Sequence, residues 1–188
     1  MAGNMQSGRG QGRQPFLMRY HLRPEKFSPA RYAAVMGLLF AATAALNMLE
    51  SVFSAFLPAG MRVGLSNIAI MAAILCINLP SAALLTLLKA AMVLMTRGAA
   101  AGAMSLCGGL AAFAVTALLF RRSGCSYILI SVLGAIAHSM GQLCLSAALM
   151  GTVFVFAFAP VLVIASVMTG ICTGIVLRAV FPLLEARL

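Results

Sequence analysis

The stretch SYILISVLGAIAHSMGQLCLSAALM, residues 126–150, carries only one side chain that titrates near neutral pH, His138. A helix rises about 1.5 Å per residue, so this run outreaches a hydrocarbon core of roughly 30 Å. It is continuous and rich in Ala and Leu, not alternating at period two, so it reads as a membrane helix and not as a barrel strand. Working outward from it, five more apolar runs appear: 33–56, 63–79, 81–96, 99–120 and 153–177. The second and third are barely long enough to cross and could be partial spans packed on longer neighbours. The expectation is an all-α integral membrane protein with six transmembrane helices.

Composition agrees. Hydrophobic residues make up 63% and charged residues 9% of the 188, far from the mix of a soluble domain. The chain has no aspartate, and Glu25, Glu50 and Glu185 stand against 13 Lys and Arg. Six of those cations (Arg9, Arg13, Arg19, Arg23, Lys26, Arg31) fall in the first 31 residues, and the rest sit singly or as one pair between apolar runs. That is the footprint of membrane topology and excludes a nucleic-acid groove. Residues 1–31, polar and without a signal-peptide core, are expected to form a disordered cytoplasmic tail ahead of a membrane domain at 32–188. With the N-terminus inside, Arg121, Arg122, Arg178 and Arg187 also fall inside and only Arg62 and Arg97 outside, so both termini are expected in the cytoplasm of a cell-membrane protein. The five cysteines are far apart and lack metal-ligand spacing, which makes them packing residues. No metal or cofactor is expected.

A charged group at mid-span costs about 2.5 to 3.5 kcal/mol on insertion scales, so each one needs a reason. Asn47 and Glu50 on the first run, Arg62 and Asn67 on the second, Lys89 and Arg97 on the third, and His138 with Gln142 one turn on in the fifth all fall toward the outer half. Each taken alone reads equally well as interhelical glue, with Glu50 paired to Lys89 or Arg62. Taken together they suggest a solute pocket open to the outside. Cations outnumber the one anion in the set, which favours an anionic or phosphate-bearing solute.

Small residues recur every fourth position at Ala33, Gly37, Ala41 and Ala45 on the first run and at Ser166, Gly170 and Gly174 on the last. Such stripes allow close helix approach, either within the bundle or, for the first run, to a partner subunit. Chemistry is thin: there is no GxxxxGK[ST] phosphate loop, no paired carboxylates and no Ser/His/Asp set. The sequence therefore points away from catalysis.

The segments RVGLSNI at 62–68, Leu88-Lys89 with Arg97-Gly98, SLCGGL at 105–110 and SVLGAIAHSMGQL at 131–143 together resemble the Gx transporter family, also named heptaprenyl diphosphate synthase component I. That family is similar to the substrate-binding S components of energy-coupling factor (ECF) transporters, and the resemblance covers roughly residues 33–180. It implies a six-helix S component that captures a vitamin-like or precursor molecule. Such a subunit docks through the small residues of helix 1 onto a transmembrane coupling subunit with two ATPases. Lys89 stands where the family commonly has Arg, which keeps the charge and loses bidentate recognition. The synthase name implies an alternative, a non-catalytic membrane subunit of polyprenyl diphosphate synthesis. A facilitator working alone is a third reading.

Overall fold

The computed structural model describes residues 28–54, 64–121 and 125–185. Arg62, residues 1–27 of the basic tail, Arg122 and Arg187 lie outside the described residues. Six α-helices follow in order: α1 Pro29–Ser54, α2 Asn67–Cys76, α3 Leu79–Arg97, α4 Ala99–Arg121, α5 Tyr127–Met150 and α6 Ala159–Glu185, with a short 3-10 helix Val153–Phe158 before α6. Helix α1 takes up Pro29 to Arg31 at the end of the basic stretch.

Five of these segments are long and apolar enough to cross a membrane. Helix α2 is the exception and corrects the six-span expectation. Its 10 residues reach about 15 Å, half of a hydrocarbon core. Two local causes shorten it. The backbone at Gly64 takes φ +90°, a left-handed value that suits glycine, and the chain turns through Leu65 and Ser66 before the helix can begin. At the other end Asn78 is extended and its side chain caps α3 by accepting from Ser81 N at 2.8 Å, with Pro80 in the first turn. Between α3 and α4 the single residue Gly98, at φ +88°, reverses the chain. Ser126 caps α5 by accepting from Leu129 N at 3.2 Å.

The contacts fix the helix directions. Tyr32 Oη lies 2.8 Å from Ser81 Oγ, so α1 and α3 start on the same side. Sites on α4 pair with α3 in opposite order, Gly102 against Leu94 and Gly109 against Thr86, and α6 pairs with α5 likewise, Gly170 against Val132 and Gly174 against Ile128. The described chain therefore enters and leaves on one side. Apolar side chains such as Leu38, Met48, Met95 and Met168 face outward, as a helix bundle in lipid requires. Inside, one apolar cluster sits toward the side where α1 begins (Met36, Ile74, Ile77, Ile130, Leu177), and a smaller one sits toward the other end (Leu143, Val155, Leu162). Buried polar groups lie between them.

Candidate functional site

The turn before α2 holds those polar groups together. Glu50, near the end of α1, is fully buried and accepts from the backbone N of Gly64 and, at 3.1 Å, from Ser66 Oγ. Ser66 occupies the position where a serine ordinarily caps a helix, yet its hydroxyl is spent on Glu50. Asn67 N donates to Gly64 O at 3.0 Å and closes the turn. From the opposite wall Lys89, 1% exposed, donates from Nζ to Asn67 Oδ1 at 3.0 Å. One short turn thus ties an anion on α1 to a cation on α3.

The second half of the site comes from α5. His138 and Gln142, four residues apart and each 1% exposed, place their Nε2 atoms 2.8 Å apart. The amide nitrogen is a donor only, so in this arrangement the ring accepts at Nε2. Helix α4 comes close enough to frame the pair because it has glycine there: a Cβ on Gly108 would lie 2.8 Å from both Gln142 Cγ and His138 O. Gly64 joins the halves, since a Cβ on it would lie 3.3 Å from both Asn67 Nδ2 and His138 Cδ2.

Glu50, Asn67, Lys89, His138 and Gln142 are therefore brought together. Asn47 is buried on α1 one turn before Glu50. Arg97 is not part of the set: it is exposed at the last position of α3, eight residues or about 12 Å of rise beyond Lys89. Among the described residues the buried layer then holds one cation, Lys89, and one anion, Glu50. Arg62, the other cation expected there, lies outside the described residues. Glu50 pairs with the turn's own donors, so its role here is to position Asn67.

Two polar atoms beside this cluster are buried without a partner in the protein, Asn67 Nδ2 and Ser105 Oγ. Gly102 faces Leu94 and Gly109 faces Thr86, so Ser105, between them, stands level with Lys89 and Ala90. Sequence reasoning missed Gly64, Ser66 and Ser105. A lone serine in an apolar helix has no periodic signal, although all three lie inside segments that carry the family resemblance, Gly64 and Ser66 in 62–68 and Ser105 in 105–110.

A cavity of about 20 Å³ opens beneath Asn67 and Gly64, between α2, α4, α5 and α6. Its α4 and α5 residues, Ala112, Phe113, Thr116, Ser131 and Gly134, lie beyond Gly108 along α4 and before His138 along α5. The hollow therefore lies on the side of the polar layer where α1 begins. The reason is α2, which starts at the level of the polar layer and leaves space beneath its first turn. A cavity of this size holds about one water, which needs roughly 10 to 15 Å³. Drug-sized solutes occupy pockets of about 300 to 1,000 Å³, so this hollow by itself takes no more than a small end group.

The two small-residue stripes part company. Cβ atoms on Gly170 and Gly174 would lie 2.5 Å from Val132 Cα and 2.7 Å from Ile128 Cα, and Ser166 Oγ lies 2.6 Å from Ser139 Oγ, so the α6 stripe is packing against α5. Ala33, Gly37, Ala41 and Ala45 are all exposed, and a Cβ on Gly37 would meet nothing within 4 Å.

Comparison with known proteins gives one family: the model described as heptaprenyl diphosphate synthase component I matches residues 39–180. Neither a curated protein nor a solved structure matches.

Proposed function

Because this chain belongs to the heptaprenyl diphosphate synthase component I family, we propose that it is a membrane subunit that binds a small solute, the S component of an ECF-type transporter, and performs no catalysis. The observation that carries this reading is the pair of unspent buried polar atoms, Asn67 Nδ2 on the residue that takes the Lys89 ammonium and Ser105 Oγ at the depth of Lys89. Each costs about 1 to 3 kcal/mol when left unpaired, and a lipid-embedded bundle built only for stability would have apolar side chains there. A solute that bonds to them recovers that cost.

In this reading Lys89 attracts an acidic group of a vitamin-like or precursor molecule, Asn67 and Ser105 donate to it, and His138 with Gln142 fixes its orientation. Glu50 keeps the turn in register from behind. The closed site opens on capture, and release draws on a transmembrane coupling subunit with two ATPases. The exposed face of Ala33, Gly37, Ala41 and Ala45 is where that partner docks, since small side chains let another helix come close. The protein resides in the cell membrane with both termini cytoplasmic, which places Arg31 and Arg178 inside and Arg97 outside.

The test is solute retention. Native mass spectrometry of the purified chain should detect a bound small molecule, and Lys89→Ala should lower its occupancy at least about tenfold, equivalent to 1.4 kcal/mol, while the protein still inserts. Occupancy unchanged in Lys89→Ala would remove the proposed site.

The family's name favours a second reading, a non-catalytic membrane subunit of polyprenyl diphosphate synthesis. Prenyl chain elongation holds Mg²⁺ on a diphosphate through aspartate-rich motifs, and these 188 residues contain no aspartate, so the chemistry would belong to another subunit. Co-purification separates the readings. A coupling protein with ATPases supports transport, and a soluble prenyl synthase supports the accessory role.

A further inference from the structure

Helical threonines in this bundle mostly return their hydroxyls to their own helix. Thr43 donates to Leu39 O at 2.7 Å, Thr86 to Ala82 O at 2.8 Å, Thr96 to Met92 O at 2.8 Å and Thr169 to Ala165 O at 2.6 Å. Such bonds satisfy a hydroxyl where no water reaches. Thr116 on α4 and Thr173 on α6, 3% and 6% exposed, make no bond of this kind, and both line the cavity beneath Asn67. Thr116 Oγ1 is turned to α5, lying 2.8 Å from where a Cβ on Gly134 would be. Ser131 adds a third hydroxyl, which donates to Met71 Sδ at 3.2 Å, a weak acceptor. Three helices thus direct uncharged hydrogen-bonding groups at one hollow whose lining includes no charged side chain.

We propose that this hollow is a subsite for the uncharged, hydrogen-bonding end of the solute, a terminal hydroxyl or amide, while the acidic end engages Lys89. The inference rests on the solute-binding reading above. Asn67 serves both ends, because its Oδ1 takes the Lys89 ammonium and its Nδ2 has no partner in the protein. At about 20 Å³ the hollow admits one water-sized group, so it selects a slim terminus and rejects a branched or aromatic one. Met71 and Phe113 supply apolar sides, and a terminus with no hydrogen bond to offer would leave the hydroxyls of Thr116 and Thr173 unpaired.

Melting and solute occupancy of the full chain in detergent test this. Valine matches threonine in shape without the hydroxyl, and losing an unbonded buried hydroxyl costs a purely structural site nothing. Thr116→Val with Thr173→Val should therefore leave the melting midpoint unchanged or raised and yet lower occupancy of the retained molecule about tenfold by native mass spectrometry. Wild-type occupancy in this double variant, alongside loss in Lys89→Ala, would overturn the subsite and leave the solute-binding reading standing. Wild-type occupancy in both would overturn the two together.

Discussion

Glu50 shows how a single side chain can matter without touching a solute. An anion buried in a membrane helix is expensive, and this one accepts from Gly64 N and Ser66 Oγ, so its charge is spent on folding a turn. Glu50→Ala strands two donors, each worth about 1 to 3 kcal/mol, so thermal melting in detergent should show a loss of roughly 2 to 6 kcal/mol. Glu50→Gln, which keeps an acceptor, should lose less than Glu50→Ala, and equal losses would place the effect elsewhere. Gly64→Ala acts at the same turn by another route. Left-handed backbone costs an alanine about 1 to 2 kcal/mol, and the new methyl would press on Asn67 and His138, so solute occupancy should fall along with stability. A stability loss with full occupancy would separate the turn from the site.

Among the elements, α1 and α6 look alike in sequence and differ in use. Both carry a small residue every fourth position. On α6 the stripe is filled by α5, so Gly170→Val overpacks the contact at Val132 and should cost about 1 to 3 kcal/mol by thermal melting. Gly37→Leu meets open space, so it should leave the melting midpoint where it is and abolish co-purification of the coupling partner. A partner still captured by Gly37→Leu would argue that α1 faces only lipid. Helix α2 makes a different point. A half-length helix is tolerable in lipid only where its loose backbone ends find partners inside the protein: Asn67 N and Ile68 N donate to Gly64 O and Leu65 O in the turn that Glu50 holds, and Ile77 N donates to Ala73 O at the other end.

For the whole molecule, helix directions put Pro29 and the end of α6 on one face and Gly98 on the other. Single cysteines at Ser28 and Arg97 in an otherwise cysteine-free chain should label with an impermeant thiol reagent from opposite sides of sealed vesicles, Arg97→Cys from the outside. Labelling of both from one side would refute this arrangement. Among the described residues, five helices of spanning length and a half-length α2 still return the chain to its starting face, because α2 ends beside the start of α3.

From composition and run length alone the chain declares a helical membrane protein, because the roughly 30 Å of hydrocarbon leaves a long apolar run no other backbone solution. Lys89, His138 and Gln142 were legible as a candidate site for a related reason, since polar groups are too costly in lipid to be placed idly. They lie together with Asn67 and Glu50, whereas Arg97 stands apart, eight residues or about 12 Å of rise beyond Lys89 on the same helix. Tertiary packing decided the rest. It shortened α2, because a turn is stabilised by a carboxylate 14 residues earlier in the chain. It separated two identical-looking stripes by whether a neighbour fills them. It also turned Thr116 and Thr173 toward a hollow that no local pattern marks, because whether a threonine bonds its own helix or faces a cavity depends on the helices packed around it.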